Sequence, residues 1–317
     1  MLIERKVLGI LIIGFIIVGS LFLGALFLSL PNDDTPNDLN DNEDLPKSPS
    51  RGNCTLPILM GKVTIAGIGE FSFNASKVPT LRPDIFNEGY FSVFDVLVYI
   101  GNQSKITIQY HFNDSMNTFV VDSLNNKTNW WYRAHYDGGW TESNIFRMDH
   151  FPYKDKMTIT VFQESEKALH DRYVVFTKEV QQKKENNNSV IVPEVTIVDS
   201  KSSRIVFSNV TITPHNIRED MLKADTITAI DVILSLTDQG KIVSKIQWYE
   251  SIGTAEIVED FYVVQINNDV SSGFCGFVYE EGSKGYAYNH IHIPSDIRVL
   301  NSPEYVLWFW IELGPCF

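Results

Sequence analysis

Cysteine is scarce in this 317-residue chain: only Cys54, Cys275 and Cys316 are present. Three thiols exclude a disulfide-rich scaffold, and their spacing matches neither a zinc nor an iron–sulfur site. Positive charge is also short, with 26 Lys and Arg against 39 Asp and Glu, a formal net charge of −13. That balance speaks against nucleic acid, which requires a basic footprint, and against anionic lipid headgroups. The G-x-S-x-G, H-E-x-x-H and G-x-x-x-x-G-K patterns are missing, so serine-nucleophile, zincin and P-loop chemistry have no foothold. No cofactor is expected. Acids are scattered without a spacing that fixes a pair, so a carboxylate-based hydrolase is the minor alternative.

What is present begins with Leu8–Leu30, twenty-three residues without a charge. That length crosses a bilayer as one tilted helix. Arg5 and Lys6 precede it and acids follow it, so residues 1–7 are expected in the cytoplasm and the rest outside. The run exceeds a signal-peptide core and its exit lacks a small-x-small site, which favours an uncleaved signal-anchor. The expected localisation is the cell membrane, single-pass, with the bilayer as a partner through residues 8–30. Residues 31–58 then read as an acidic, disordered stalk, rich in Asp, Asn and Pro.

From residue 59 the pattern turns to short strands. Lys62–Ile65, Phe71–Phe73, Ile106–Tyr110, Phe119–Val121, Trp130–His135, Met157–Phe162 and Tyr173–Phe176 are strand candidates. Phe91–Ile100 carries Val93, Val96, Leu97 and Ile100 at helical spacing. A second set follows in the same order: Glu194–Ile197 answers Lys62–Ile65, Ala229–Ile233 answers Val93–Leu97, Phe261–Val264 answers Thr118–Val121, and Tyr305–Trp308 answers Tyr173–Phe176. The expected fold class is mainly β with short helices (α+β): after the transmembrane helix, two tandem repeats of a small antiparallel or mixed sheet, at 59–179 and 190–317, joined by a polar linker at 180–189. Asp95 and Asp231 hold the same place in the two helices. They are expected on a solvent face or capping nearby backbone, rather than ligating a metal.

The order of a φ-Asp-Val-φ helix, an FVV-type strand, an aromatic and glycine-rich hairpin and a terminal apolar strand resembles the transcobalamin C-terminal-like small β domains. Phe94–Leu97 and Ile230–Ile233 would be the helix, and Val121–Tyr132 and Val264–Tyr279 the hairpin region. The resemblance implies a cell-surface or secreted β domain. It does not imply cobalamin binding, because the large helical domain of the eukaryotic carriers has no equivalent in this sequence.

Candidate sites are few. Trp131, Arg133 and His135 share one face of a strand, with Trp140 beyond a turn, and would form a ligand platform for a sugar, peptide or aromatic group. A filled core is the competing reading. His290 and His292 lie on one side of a strand, a weak metal signal. An extracellular chain with three cysteines leaves one over; a Cys275–Cys316 bridge is expected, with Cys54 left out. Seven N-x-[ST] sequons stand at Asn53, Asn74, Asn102, Asn113, Asn126, Asn187 and Asn209, all on the expected outer side. None falls between 210 and 317, which leaves the second repeat as the bare surface. The function expected is a membrane-anchored surface protein with a non-enzymatic binding or assembly role. A surface protein, a glycan or a second copy would be its partner. A small-molecule receptor, including one for a corrinoid, and a structural envelope protein are the alternatives.

Overall fold

Alternation of apolar and polar residues builds the first strand. In β1 (Met60–Ile65), Gly61, Val63 and Ile65 point inward while Lys62 and Thr64 face out. Gly61 is required there, since a Cβ would lie 2.3 Å from the Phe73 ring. β1 pairs with β2 (Gly69–Asn74) in an antiparallel hairpin and runs parallel to β7 (Thr158–Gln163). β7 pairs with β5 (Trp130–Tyr136), and β5 with β6 (Trp140–Glu142), giving the order β2-β1-β7-β5-β6. Between them come α1 (Val93–Asn102) and a separate hairpin, β3 (Ile108–Asn113) with β4 (Thr118–Leu124). The computed structural model describes residues 45–48, 60–103, 105–136, 140–142, 146–252, 257–285 and 293–316.

The second half repeats this plan. β8 (Val190–Val198) and β9 (Arg204–Ile212) form the hairpin, and β8 runs parallel to β14 (Tyr305–Glu312). β14 pairs with β13 (Cys275–Gly282), giving the order β13-β14-β8-β9. α3 (Ile230–Asp238), β10 (Ser244–Tyr249), β11 (Asp260–Ile266) and the short β12 (Asp269–Val270) lie between. Strand order and direction therefore agree element for element with β2-β1-β7-β5. Loop contacts repeat as well. The Val93 N–H donates to Phe151 O at 2.9 Å and the Ala229 N–H to Arg298 O at 2.9 Å. The Tyr132 hydroxyl donates to Phe146 O at 2.9 Å and that of Tyr279 to Ile293 O at 2.8 Å.

The architecture is thus mainly β, as expected, but three details of the sequence reading change. Tyr173–Phe176 is not a strand; it lies inside α2 (Glu166–Glu185). The counterpart of β14 in the first half is β7, which begins fifteen residues before Tyr173. Residues 180–185 of the expected linker are the last turns of the same helix. α2 escapes an apolar-periodicity reading because its buried face carries Arg172 and Glu179 beside Leu169, Val175 and Phe176. Finally, the expected stalk is docked at Leu45–Ser48. The Ser48 N–H donates to Ile217 O at 3.2 Å, its hydroxyl to Asp220 Oδ1 at 2.7 Å, and Lys47 pairs with Glu219 at 2.9 Å. Leu8–Leu30 lies outside the described residues; among those described, no helix is long and apolar enough to cross a membrane.

Leu45–Phe317 forms one compact unit, and the halves meet about an approximate twofold axis. The Asn87 N–H donates to Met221 O at 2.9 Å, and the Lys223 N–H to Ile85 O at 2.8 Å, around a bridge between Phe86 and Leu222. In this contact Ile85, Phe86 and Asn87 stand 136 positions before Met221, Leu222 and Lys223. The contact is therefore isologous, the kind a symmetric dimer makes, within one chain.

Asp95 and Asp231 are buried helix caps, not solvent-facing. One Asp95 oxygen accepts from the Ser92 N–H and hydroxyl, each at 2.7 Å, and the other from the Leu81 N–H at 2.8 Å. Asp231 does the same for Thr228 and for the His215 N–H. Asp95→Ala would leave buried donors unmade at roughly 1–3 kcal/mol each. We expect a loss of about 2–4 kcal/mol in denaturant unfolding for Asp95→Ala and for Asp231→Ala, against about 1 kcal/mol for Ser92→Ala. Losses below about 0.5 kcal/mol for both Asp variants would refute the capping role.

Candidate functional site

The densest polar chemistry in the molecule sits at the junction of the halves. It starts from a short motif just before each helix, Arg82-Pro83-Asp84 and Arg218-Glu219-Asp220, again 136 residues apart. Each arginine turns back onto the aspartate two residues on. Arg82 donates through Nε and Nη2 to Asp84 at 2.9 and 2.7 Å; Arg218 does so to Asp220 at 3.0 and 3.2 Å. The remaining Nη1 points into the core. Arg82 Nη1 donates to Asp149 at 2.6 Å, and Arg218 Nη1 to Asp296 at 2.8 Å and to Asp260 at 3.1 Å. A planar fork meeting several carboxylates is the geometry for which arginine is suited.

Asp149 and Asp296 occupy equivalent loops before β7 and β14, and each accepts from the N–H of the second residue of the neighbouring hairpin strand. Phe119 donates to Asp149 Oδ2 at 3.2 Å, and Phe261 to Asp296 Oδ2 at 2.8 Å. The two centres also clasp each other across the axis. Lys154 of the first half bonds Asp260 and Val258 O in the second. Its counterpart Asn301 meets Asn117 at 3.2 Å and His150 at 3.3 Å in the first.

Burial sets the electrostatics. It raises the Asp149 carboxyl against the pull of Arg82, and holds the His150 imidazole well below its ordinary 6.5, with Arg82 and Arg147 adding to the effect. Asp84 behaves differently: burial opposes its ionisation, yet the Arg82 fork outweighs it and lowers the carboxyl. Burial pushes Asp260 up to about 7, opposed by Lys154 and reinforced by the Asp296 charge. Two further buried pairs flank the junction. Arg147 meets Glu179 of α2 at 2.6 Å and stacks on Phe176, and Arg298 pairs with Glu281 above the Phe146 ring.

The expected ligand platform is not assembled. Trp131 is 4 % exposed, covered by Arg172 and Phe176 of α2. Arg133 is exposed and His135 half-buried; of the Trp140 side chain nothing is described. The large rings fill a core instead. His290, His292, Cys54 and Asn53 lie outside the described residues. Among the described residues no set of three His, Cys, Asp or Glu is placed to hold a metal ion. Cys275 and Cys316 stand at bonding distance with Cα atoms 5.4 Å apart. Of the other sequons, Asn102, Asn126, Asn187 and Asn209 are exposed, and Asn74 and Asn113 are partly exposed. In the last two the amide oxygen accepts from the hydroxyl of its own sequon serine, Ser76 and Ser115, at 2.7 Å.

The Arg-x-Asp motif was the signal the sequence reading passed over. The offset of 136 that matches Asp95 with Asp231 also matches Arg82 with Arg218 and Asp84 with Asp220. Nothing near Asp149 and Asp296 betrays them, because they are read only through the fold. Comparison with protein-family models, curated proteins and solved structures finds no match.

One side chain at the edge of the second centre reports on pH. His215 lies between Asp231 at 2.8 Å and Asp238 at 3.1 Å. Burial lowers its affinity for a proton, but the two carboxylates outweigh this and raise it above 6.5. A raised value in the folded state adds stability that is complete below the unfolded value of 6.5 and is lost as pH rises through the folded one. The stability difference between wild type and His215→Gln should therefore be larger near pH 5 than near pH 9 in chemical denaturation. A difference that grows with pH would contradict the assignment.

Proposed function

We propose that the chain is a membrane-anchored surface protein, spanning the bilayer once through Leu8–Leu30 with residues 1–7 in the cytoplasm. Its body acts outside as a non-enzymatic binding or assembly module. The observation that carries the non-enzymatic reading is the use of the buried charge. Arg82, Arg147, Arg218 and Arg298, with Asp149, Glu179, Asp260, Glu281 and Asp296, close on one another to hold the fold. Catalytic acids and bases, in contrast, need access to a substrate in a cleft. The two cavities described near these groups hold about 10 Å³ each, room for one water.

The exposed sequons agree with display outside the cell. The corrinoid-receptor alternative rests on the family resemblance alone. The reading of 210–317 as the surface free for a partner stands on the distribution of sequons.

Protein purified from its native host should carry no small molecule at stoichiometric amounts in native mass spectrometry, and should appear as an oligomer or with a protein partner. A single bound ligand of defined mass would instead establish the receptor. Glycopeptide mapping of the same material should find at least three occupied sites among the seven. Unmodified Asn74, Asn102, Asn113 and Asn126 together would remove both the glycosylation and the argument for the bare second half.

A further inference from the structure

The two arginine centres are built on one plan, and the point at which they differ is informative. In the first half, Thr118 opens β4 and its hydroxyl donates to Asp149 Oδ1. Asp149 thereby has both oxygens satisfied: Oδ1 by Thr118, Oδ2 by Arg82 and the Phe119 N–H. In the second half, the residue that opens β11 is Asp260. Its equivalence to Thr118 follows from the next residue, since the Phe119 and Phe261 N–H groups bond the two loop aspartates in the same way. An ionised carboxylate has no hydrogen to give. Asp296 Oδ1 accordingly has no donor among the described residues, although Asp296 is 0 % exposed. It borders the small cavity lined by Arg218, Thr228 and Asp231. A buried acceptor left without a partner is rare in a native fold and calls for an explanation.

Charge points the same way. Asp260 is faced by Lys154 from the loop before β7, by Arg218 from the loop before α3, itself forked onto Asp220, and by Asp296 from the loop before β14. Tyr262 on its own strand and Asp231 of α3, at the rim of the cavity, complete the titratable surroundings. Among the described residues, two cations, Lys154 and Arg218, thus meet three carboxylates, Asp220, Asp260 and Asp296. Asp260 and Asp296 both lean on the single nitrogen Nη1 of Arg218. Two carboxylates so placed do not both ionise at low cost.

We propose that Asp260 and Asp296 form a proton-binding site that holds one shared proton at the junction, supplying the hydrogen bond that the Thr118 hydroxyl supplies in the other half. With the proton bound, the cluster is neutral overall and Lys154 binds across the axis without a competing negative charge. Loss of the proton leaves one uncompensated charge in a buried site and loosens the junction. The protein therefore becomes less stable as pH rises through neutrality, the reverse of the usual paired carboxylate. Burial, which raises the Asp260 carboxyl, supports this sign.

Two measurements on the full chain test the site. In protein labelled with 13Cγ-aspartate, one coupled pair of carboxyl signals should titrate near neutral pH and disappear in Asp260→Thr. In denaturant unfolding, the midpoint should fall between about pH 5.5 and about pH 8.5. The double variant Lys154→Asn with Asp260→Thr, which copies the Asn301 and Thr118 chemistry of the first half, should abolish at least half of that fall. His215→Gln serves as a control for a further group with the same sign, and should leave the titration of the Asp260–Asp296 pair unmoved. All aspartates ionised by about pH 5.5 in the wild type would overturn the proposal, as would an unchanged pH slope in the double variant. If the double variant does not fold, the titration of the wild type decides alone.

Discussion

A guanidinium group buried among carboxylates is the constraint around which this molecule is organised. Arg82 and Arg218 each fix three things at once: the loop before the helix, the loop before the last strand and, through the neighbouring aspartate, the start of the second strand of the central hairpin. Removing either arginine would strand buried negative charge, which is far more damaging than the modest net value of an intact buried pair. Hydrophobic burial supplies the driving force for collapse. It does not choose among ways of packing a sheet, a helix and a hairpin. The directional fork of the arginine does that, twice, at the place where the two halves touch.

Duplication and packing are linked here. The repeated Ile85–Asn87 and Met221–Lys223 segments pair with each other, so the surface that joins the halves is the same surface used twice. Such a contact is self-complementary by geometry. Covalent linkage then removes the obligation for equivalent positions to be identical. Thr118 and Asp260, His150 and Ile297, Lys154 and Asn301 have diverged while the backbone scaffold around them has not. α2, between the halves, adds a tie of its own through Arg147, Glu179 and the Gln182 side chain, which reaches Ile191 O and Pro303 O.

Much of the fold was legible because its elements alternate or repeat in the chain itself. Val63 and Ile65 against Val195 and Ile197, and the φ-Asp-Val-φ helices, carry the pattern without help from tertiary structure. Two kinds of information did not reach the sequence level. The buried face of α2 mixes Arg172 and Glu179 with apolar residues, and charge in the interior defeats a reading that equates burial with hydrophobicity. The register of the hairpins was also misplaced by one residue: the FVV and YVV runs look alike, but it is Thr118 that answers Asp260. That slip hid the most informative difference between the halves. The aromatic strand at Trp130–Tyr132 was found, and its role was misread because a covering helix from elsewhere in the chain cannot be inferred from a strand's own alternation. Where ionisable groups converge from three separate loops onto one strand residue, as at Asp260, local sequence holds no trace of the assembly.

The docking of Ser48 has a mechanical consequence. Ser48 is fastened to Ile217 and Asp220 of the second half, whereas Met60 begins the first strand of the first half. Further along the chain α2 reaches the second half, its Gln182 side chain donating to Ile191 O and Pro303 O. α2 and the shared polar junction tie the halves together, and the 45–48 contact rests on that same junction, because Ser48 and Arg218 both donate to Asp220 Oδ1. The body should thus come apart as one cooperative unit rather than as two independent modules, even though its strands were laid down from two copies of the same plan.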